Sequence, residues 1–97
     1  MKRYTLSLES INILYRQLIR SERYQEHDII SHNYRSWLKK INEENFHPDV
    51  AAKTCNIPLS YRGDNVRSIK FGNHFSASYR LNGTEVVILE RPYNSFK

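Results

Sequence analysis

A single cysteine, Cys55, rules out an internal disulfide, and only three glycines and three prolines punctuate the 97 residues. A chain this small without disulfide staples suits a reducing compartment. Gly63, Gly72 and Gly83 all fall where turns are predicted, so no glycine-rich phosphate loop exists. There is no Cys-x-x-Cys and no His-Glu-x-x-His, and His27 and His32, five residues apart, point away from each other on a helix. No metal site and no cofactor is expected. No apolar run approaches the roughly 18 residues of a membrane span, and the N-terminal residues lack a signal-peptide core. A cytoplasmic protein without membrane contact is the expectation.

What is present favours folding. Hydrophobic residues make up 39% and charged residues 26%, which argues against disorder. The length allows one domain, taken as residues 1–97. Seven Tyr, four Phe and one Trp supply much of a small core. Fifteen Lys+Arg against ten Asp+Glu give +5, with a pI near 9.5. That balance admits nucleic acid or an acidic protein as partner.

Lys2 to Leu8 reads as a short strand. Ser7 is placed as the N-cap of a helix running to about Arg23, with Leu8, Ile11, Leu14, Tyr15, Leu18 and Ile19 at three- and four-residue steps. Asp28 is placed as the cap of a second helix, with Ile30, Tyr34, Trp37, Leu38 and Ile41 as its stripe and a stop at Asn45–Pro48. Each helix has one apolar stripe to bury, so a helical hairpin follows. Within 49–58, Val50-Ala51-Ala52 reads at most as a helical turn. Leu59 to Tyr61 can begin a strand, Gly63-Asp64-Asn65 reads as a turn, and Val66 to Phe71 as a strand.

The last third reads as a β-hairpin. Phe75 to Leu81 alternates apolar with polar or cationic residues, Asn82-Gly83 signals a type I′ turn, and Thr84 to Arg91 runs back. A two-residue loop at Asn82-Gly83 sets Arg80 opposite Glu85, Tyr79 opposite Val86 and Ala77 opposite Ile88. Phe75, Ala77, Tyr79, Leu81, Val86 and Ile88 then share one face. A three-residue loop, Gly72-Asn73-His74, pairs Phe71 with Phe75 and Ile69 with Ala77, which keeps that face continuous. The fold class is α+β, with element order β-α-α-β-β-β, an antiparallel sheet and the helical hairpin packed on one face.

The second face carries Lys70, His74, Ser76, Ser78, Arg80 and Arg91, with Tyr93 just beyond. Two readings are open. It can be a solvated surface on which Arg80 pairs with Glu85 across the strands. It can also hold a phosphodiester backbone, with arginine stabilising charge on phosphate and Tyr or His moving protons, although the residues alone favour the solvated surface. The arginines on the first helix read as an ordinary wet face, and Trp37 as core.

This layout resembles the RelE/ParE toxin superfamily. Val66-Arg67-Ser68-Ile69-Lys70-Phe71-Gly72 is similar to the family's stretch in which a strand with basic residues leads to a glycine. Phe75-Ser76-Ala77-Ser78-Tyr79-Arg80 resembles its next strand, aromatic-Arg-apolar-apolar-Tyr. Val86 to Arg91 resembles the last strand with its basic end, and Pro92 to Phe96 lies where relatives carry a catalytic Tyr or His. The likeness is sharp over about the last 30 residues. The resemblance implies a toxin of a type II toxin–antitoxin pair, an mRNA interferase that cuts mRNA at the ribosome and inhibits translation. The 2′-hydroxyl attacks the adjacent phosphate without a metal.

Carried onto this chain, the resemblance makes Arg91, Tyr93, Arg80 and His74 the catalytic candidates. Lys70, Arg67, Ser76 and Ser78 become the RNA- and phosphate-binding candidates. One position departs: the family's arginine falls on Ser76, with Arg80 four residues later on the same face. A cognate antitoxin with an acidic or flexible C-terminal segment is the implied partner, beside mRNA and ribosome. A non-catalytic gyrase inhibitor of the ParE branch, or a basic RNA- or protein-binding module without turnover, is the alternative.

Overall fold

The computed structural model describes residues 3–20, 27–73 and 75–89. Eight elements follow in chain order: β1 (Thr5–Leu6), α1 (Leu8–Arg20), α2 (His27–Asn42), α3 (Pro48–Thr54), β2 (Leu59–Gly63), β3 (Val66–Gly72), β4 (Phe75–Asn82) and β5 (Glu85–Ile88). They form one five-stranded sheet, ordered β1-β5-β4-β3-β2. The fold is α+β, as its class was read from sequence.

Three features correct the predicted layout. The sheet is mixed, because β1 runs parallel to β5 while the other pairs are antiparallel. The helical turn read at Val50–Ala52 and the strand read from Leu59 are both present, as a helix α3 and an edge strand β2 that the six-element order leaves out. The two long helices also divide the sheet: α1 packs chiefly on β5, and α2 on β3 and α3.

The Ser7 cap of α1 is present, with its Oγ accepting from the Ser10 amide at 3.1 Å. The stripe of α1 differs from the predicted one. Ile13, Leu14 and Leu18 are buried, whereas Leu8, Tyr15 and Ile19 are exposed, Leu8 by 73%. Ser10 and Gln17 take two of the inner positions instead. The Ser10 hydroxyl accepts from the Ile88 amide at 3.0 Å, and Gln17 Nε2 donates to the Leu89 carbonyl at 3.4 Å. These two side chains satisfy backbone groups at the end of β5, where apolar residues could not.

In α2 the stripe is the predicted one, with Ile30, Tyr34, Trp37 and Ile41 buried. The helix begins at His27, which puts Asp28 in its first turn rather than at the cap. Trp37 fills the centre of the core. Its ring centroid lies 5.7 Å from Phe71 and 5.3 Å from Tyr79, and its indole N–H donates to the Pro48 carbonyl at 3.0 Å. A buried tryptophan needs that acceptor.

The register of the last hairpin is shifted by two residues. Tyr79 lies opposite Ile88, Arg80 opposite Val87 and Leu81 opposite Val86. The central turn residues are therefore Gly83 and Thr84, and Gly83 has φ +64°. Positive φ at only the first central residue is the type II′ pattern. A type I′ pattern occurs two hairpins earlier, at Asp64 (φ +51°) and Asn65 (φ +62°) between β2 and β3. Because the shift is by two, the predicted faces survive it. Ile69 does pair with Ala77, but a bulge at Phe71 sets Gly72 opposite Phe75.

Candidate nucleic-acid interface

All three helices lie on the face that carries Ile69, Phe71, Ala77, Tyr79, Val86 and Ile88. The opposite face of β3 and β4 presents, in register, Lys70 beside Ser76, Ser68 beside Ser78, and Val66 beside Arg80. Lys70 and Arg80 are exposed, Ser68 and Ser76 half-buried, and Ser78 and Val66 buried. Ser78 therefore offers no open hydroxyl surface, contrary to its placement as a phosphate contact.

Arg80 faces Val66 and Val87 across the two ladders, so the expected Arg80–Glu85 cross-strand pair is replaced by apolar neighbours. No ion pair among the described residues involves Arg80 or Lys70. Arg80 borders a shallow cleft of about 330 Å³ with Asp64, Asn65 and Val87. Lys70 borders another, of about 280 Å³, with Ile29, Asn33, Pro58 and Gly72. Ser76 and Arg80 lie four residue steps apart on β4, about 13 Å at strand rise. Arg80 thus does not occupy the place of an arginine at position 76. His74, Arg91 and Tyr93 lie outside the described residues.

Arg67 points to the helical face. Its Nε donates to Asp49 Oδ2 at 3.1 Å, and its Nη1 donates to both oxygens of Asn65. Asp49 is buried at the start of α3, where His47 Nδ1 accepts from the Asp49 amide at 3.0 Å and Pro48 supplies the first helical residue. Tyr79 Oη donates to Asp49 Oδ1 at 2.6 Å, and Tyr61 Oη donates to Oδ2 at 3.0 Å. Burial alone would raise the Asp49 pKa. Hydrogen bonds from Tyr79, Arg67 and Tyr61, with the Arg67 charge, outweigh burial and hold it below its ordinary value. Burial, then the hydrogen bond to Asp49, raises Tyr79.

The sequence carries little sign of this cluster, because 49–58 has no strong period. Its visible trace is His47-Pro48-Asp49, a cap-Pro-acid opening to a helix. No family model matches this chain, and no curated protein or solved structure is significantly similar to it. The described residues contain no group of three or more His, Cys, Asp or Glu able to hold a metal ion, and no described helix is long and apolar enough to cross a membrane. What the arrangement offers chemically is two exposed cations, Lys70 and Arg80, on adjacent strands and about 13 Å apart along the strand direction, on the sheet face opposite the described helices.

Proposed function

We propose that this protein is an RNA-directed toxin of the RelE/ParE kind, a single-domain mRNA interferase that engages RNA through the helix-free face of its sheet. One observation carries the reading. The helices pack on one face, while Lys70 and Arg80 stand exposed and without ion pairs among the described residues on the other. The elements β1, α1 and α2 and the antiparallel run β3-β4-β5 support the resemblance, whereas the intervening α3 and β2 depart from the six-element order it implies.

On this reading Lys70 and Arg80 hold successive stretches of the RNA backbone. Cleavage by the 2′-hydroxyl then depends on Arg91, Tyr93 and His74. The neutralising partner is an antitoxin whose acidic segment answers the +5 charge. The exposed Leu8, Tyr15 and Ile19 of α1 are the apolar surface open to it.

The test is RNA cleavage in a ribosome-containing translation mixture, with mRNA ends mapped. Cleavage is expected in the wild type and lost in Arg91→Ala and Tyr93→Phe. Intact mRNA with unimpaired translation would refute the reading.

A second reading, a binder without turnover, is favoured by the spacing. Lys70 and Arg80 can share one phosphate only if both side chains lie flat along the strand, and Arg67 is committed to Asp49. RNA binding with no cleavage would select it.

A further inference from the structure

We infer that Tyr61 is a pre-set stacking platform for an unpaired nucleobase, at the β2 edge of the sheet. The inference rests on the RNA reading above and adds a base-binding position to it. Tyr61 is 61% exposed, yet its ring is held at two points. Its hydroxyl donates to the buried Asp49 at 3.0 Å, and the Arg67 guanidinium carbon lies over the ring, 5.5 Å from the centroid.

Asp49 does not need this tyrosine for its own satisfaction. Tyr79 already donates to one carboxylate oxygen and Arg67 to the other. What the third donor does is fix the orientation of an aromatic ring in water. A ring held in this way loses little further freedom on binding, and every base has a π-face to offer it. The cation behind the ring adds a favourable contact of its own.

The surroundings suit a single strand. Tyr61 belongs to the edge strand β2, so no further strand of the described residues crowds it on that side. The adjacent Arg62 is exposed, and Lys70 is exposed on the neighbouring β3. A strand lying on Lys70 reaches Tyr61 by turning around the β2 edge.

The test uses a fluorescein-labelled single-stranded oligoribonucleotide and anisotropy at several salt concentrations. Tyr61→Leu is expected to weaken binding roughly 5-fold or more, the loss of one base–aromatic stack. Its salt slope should stay at the wild-type value, because stacking releases no counterions. Tyr61→Trp, which keeps a π-face without the hydroxyl, is expected to restore most of the affinity and separates stacking from any loss of stability. If Tyr61→Leu binds as the wild type while Lys70→Ala weakens binding, the platform is refuted and the RNA reading stands. If Tyr61→Trp binds no better than Tyr61→Leu, the ring is not a stacking surface and the inference also falls. If the wild type does not bind the oligonucleotide, the RNA reading itself fails and the inference with it.

Discussion

Arg67 and Asp49, 18 residues apart, form an ion pair at 3.1 Å in which both side chains are largely shielded from water. A residue that reads as a phosphate contact in the sequence thus ties β3 to α3. Truncating either partner leaves the other charge buried. Asp49→Ala is expected to cost about 3 kcal/mol, since it also strips acceptors from Tyr79 and Tyr61. Arg67→Ala should cost less, about 2 kcal/mol, because two tyrosines still donate to the carboxylate. Urea unfolding of both variants checks the order.

Asp49 also ties stability to pH. Its folded pKa is held below the ordinary carboxylate value, so the folded state favours the charged form. The resulting stabilisation is fully present above the unfolded value of about 4 and is lost as pH falls through the lower folded value. Unfolding free energies measured from pH 7 down to pH 2 should decline in that acid window. Asp49→Asn should show a shallower decline there, from a lower starting stability. An identical acid slope in the variant would count against this assignment.

The last turn can be located by two substitutions. Gly83 has φ +64°, whereas Asn82 is not among the residues with positive φ and pairs with Glu85 within the ladder. Gly83→Ala should cost about 1–2 kcal/mol, and Asn82→Ala well under 1 kcal/mol. Comparable large costs at both positions would indicate the alternative turn centred on Asn82-Gly83. Thermal denaturation reads the difference.

Leu8 and Leu14 lie on the same helix with opposite fates. Leu8 is 73% exposed and Leu14 is buried. Leu14→Ala should cost about 2–5 kcal/mol through lost transfer energy and a cavity, while Leu8→Ala should stay within about 0.5 kcal/mol. The same denaturation experiment would expose a rotated helix, since equal costs are incompatible with this packing.

Lys70 and Arg80 should act independently on RNA. At about 13 Å along the strand direction they are beyond the range at which substitutions usually couple. Lys70→Ala and Arg80→Ala should each lower the salt slope of binding by about one ion, and the double variant by about two. Strong non-additivity would mean that both side chains reach one phosphate.

Much of the fold is legible from local signals. Ser7 can bond only to the helix amides that follow it. The stripe of Ile30, Tyr34, Trp37 and Ile41 leaves one face to bury. The alternation from Phe75 to Leu81 divides the sheet faces whichever even-numbered register is adopted. Less legible is the segment 48–63, whose elements are short and have little period of their own. α3 and β2 are held by what they touch: Trp37 on Pro48, and Tyr79, Tyr61 and Arg67 on Asp49.

The candidate site divides along the same line. The β-face that carries Lys70 and Arg80 follows from strand alternation, because side chains on a pleated strand must point to opposite sides. That Arg67 turns inward, that Ser78 is buried and that Tyr61 stands anchored in water depends on which distant groups meet them. Alternation assigns a residue to a face. Only the packed chain decides whether that face holds a carboxylate at 3 Å, a neighbouring valine or open solvent. The sequence by itself therefore determined the elements with strong period and the sheet face that carries Lys70 and Arg80. The tertiary structure decided which cations remain exposed on it, because pairing a buried charge requires a partner brought from elsewhere in the chain.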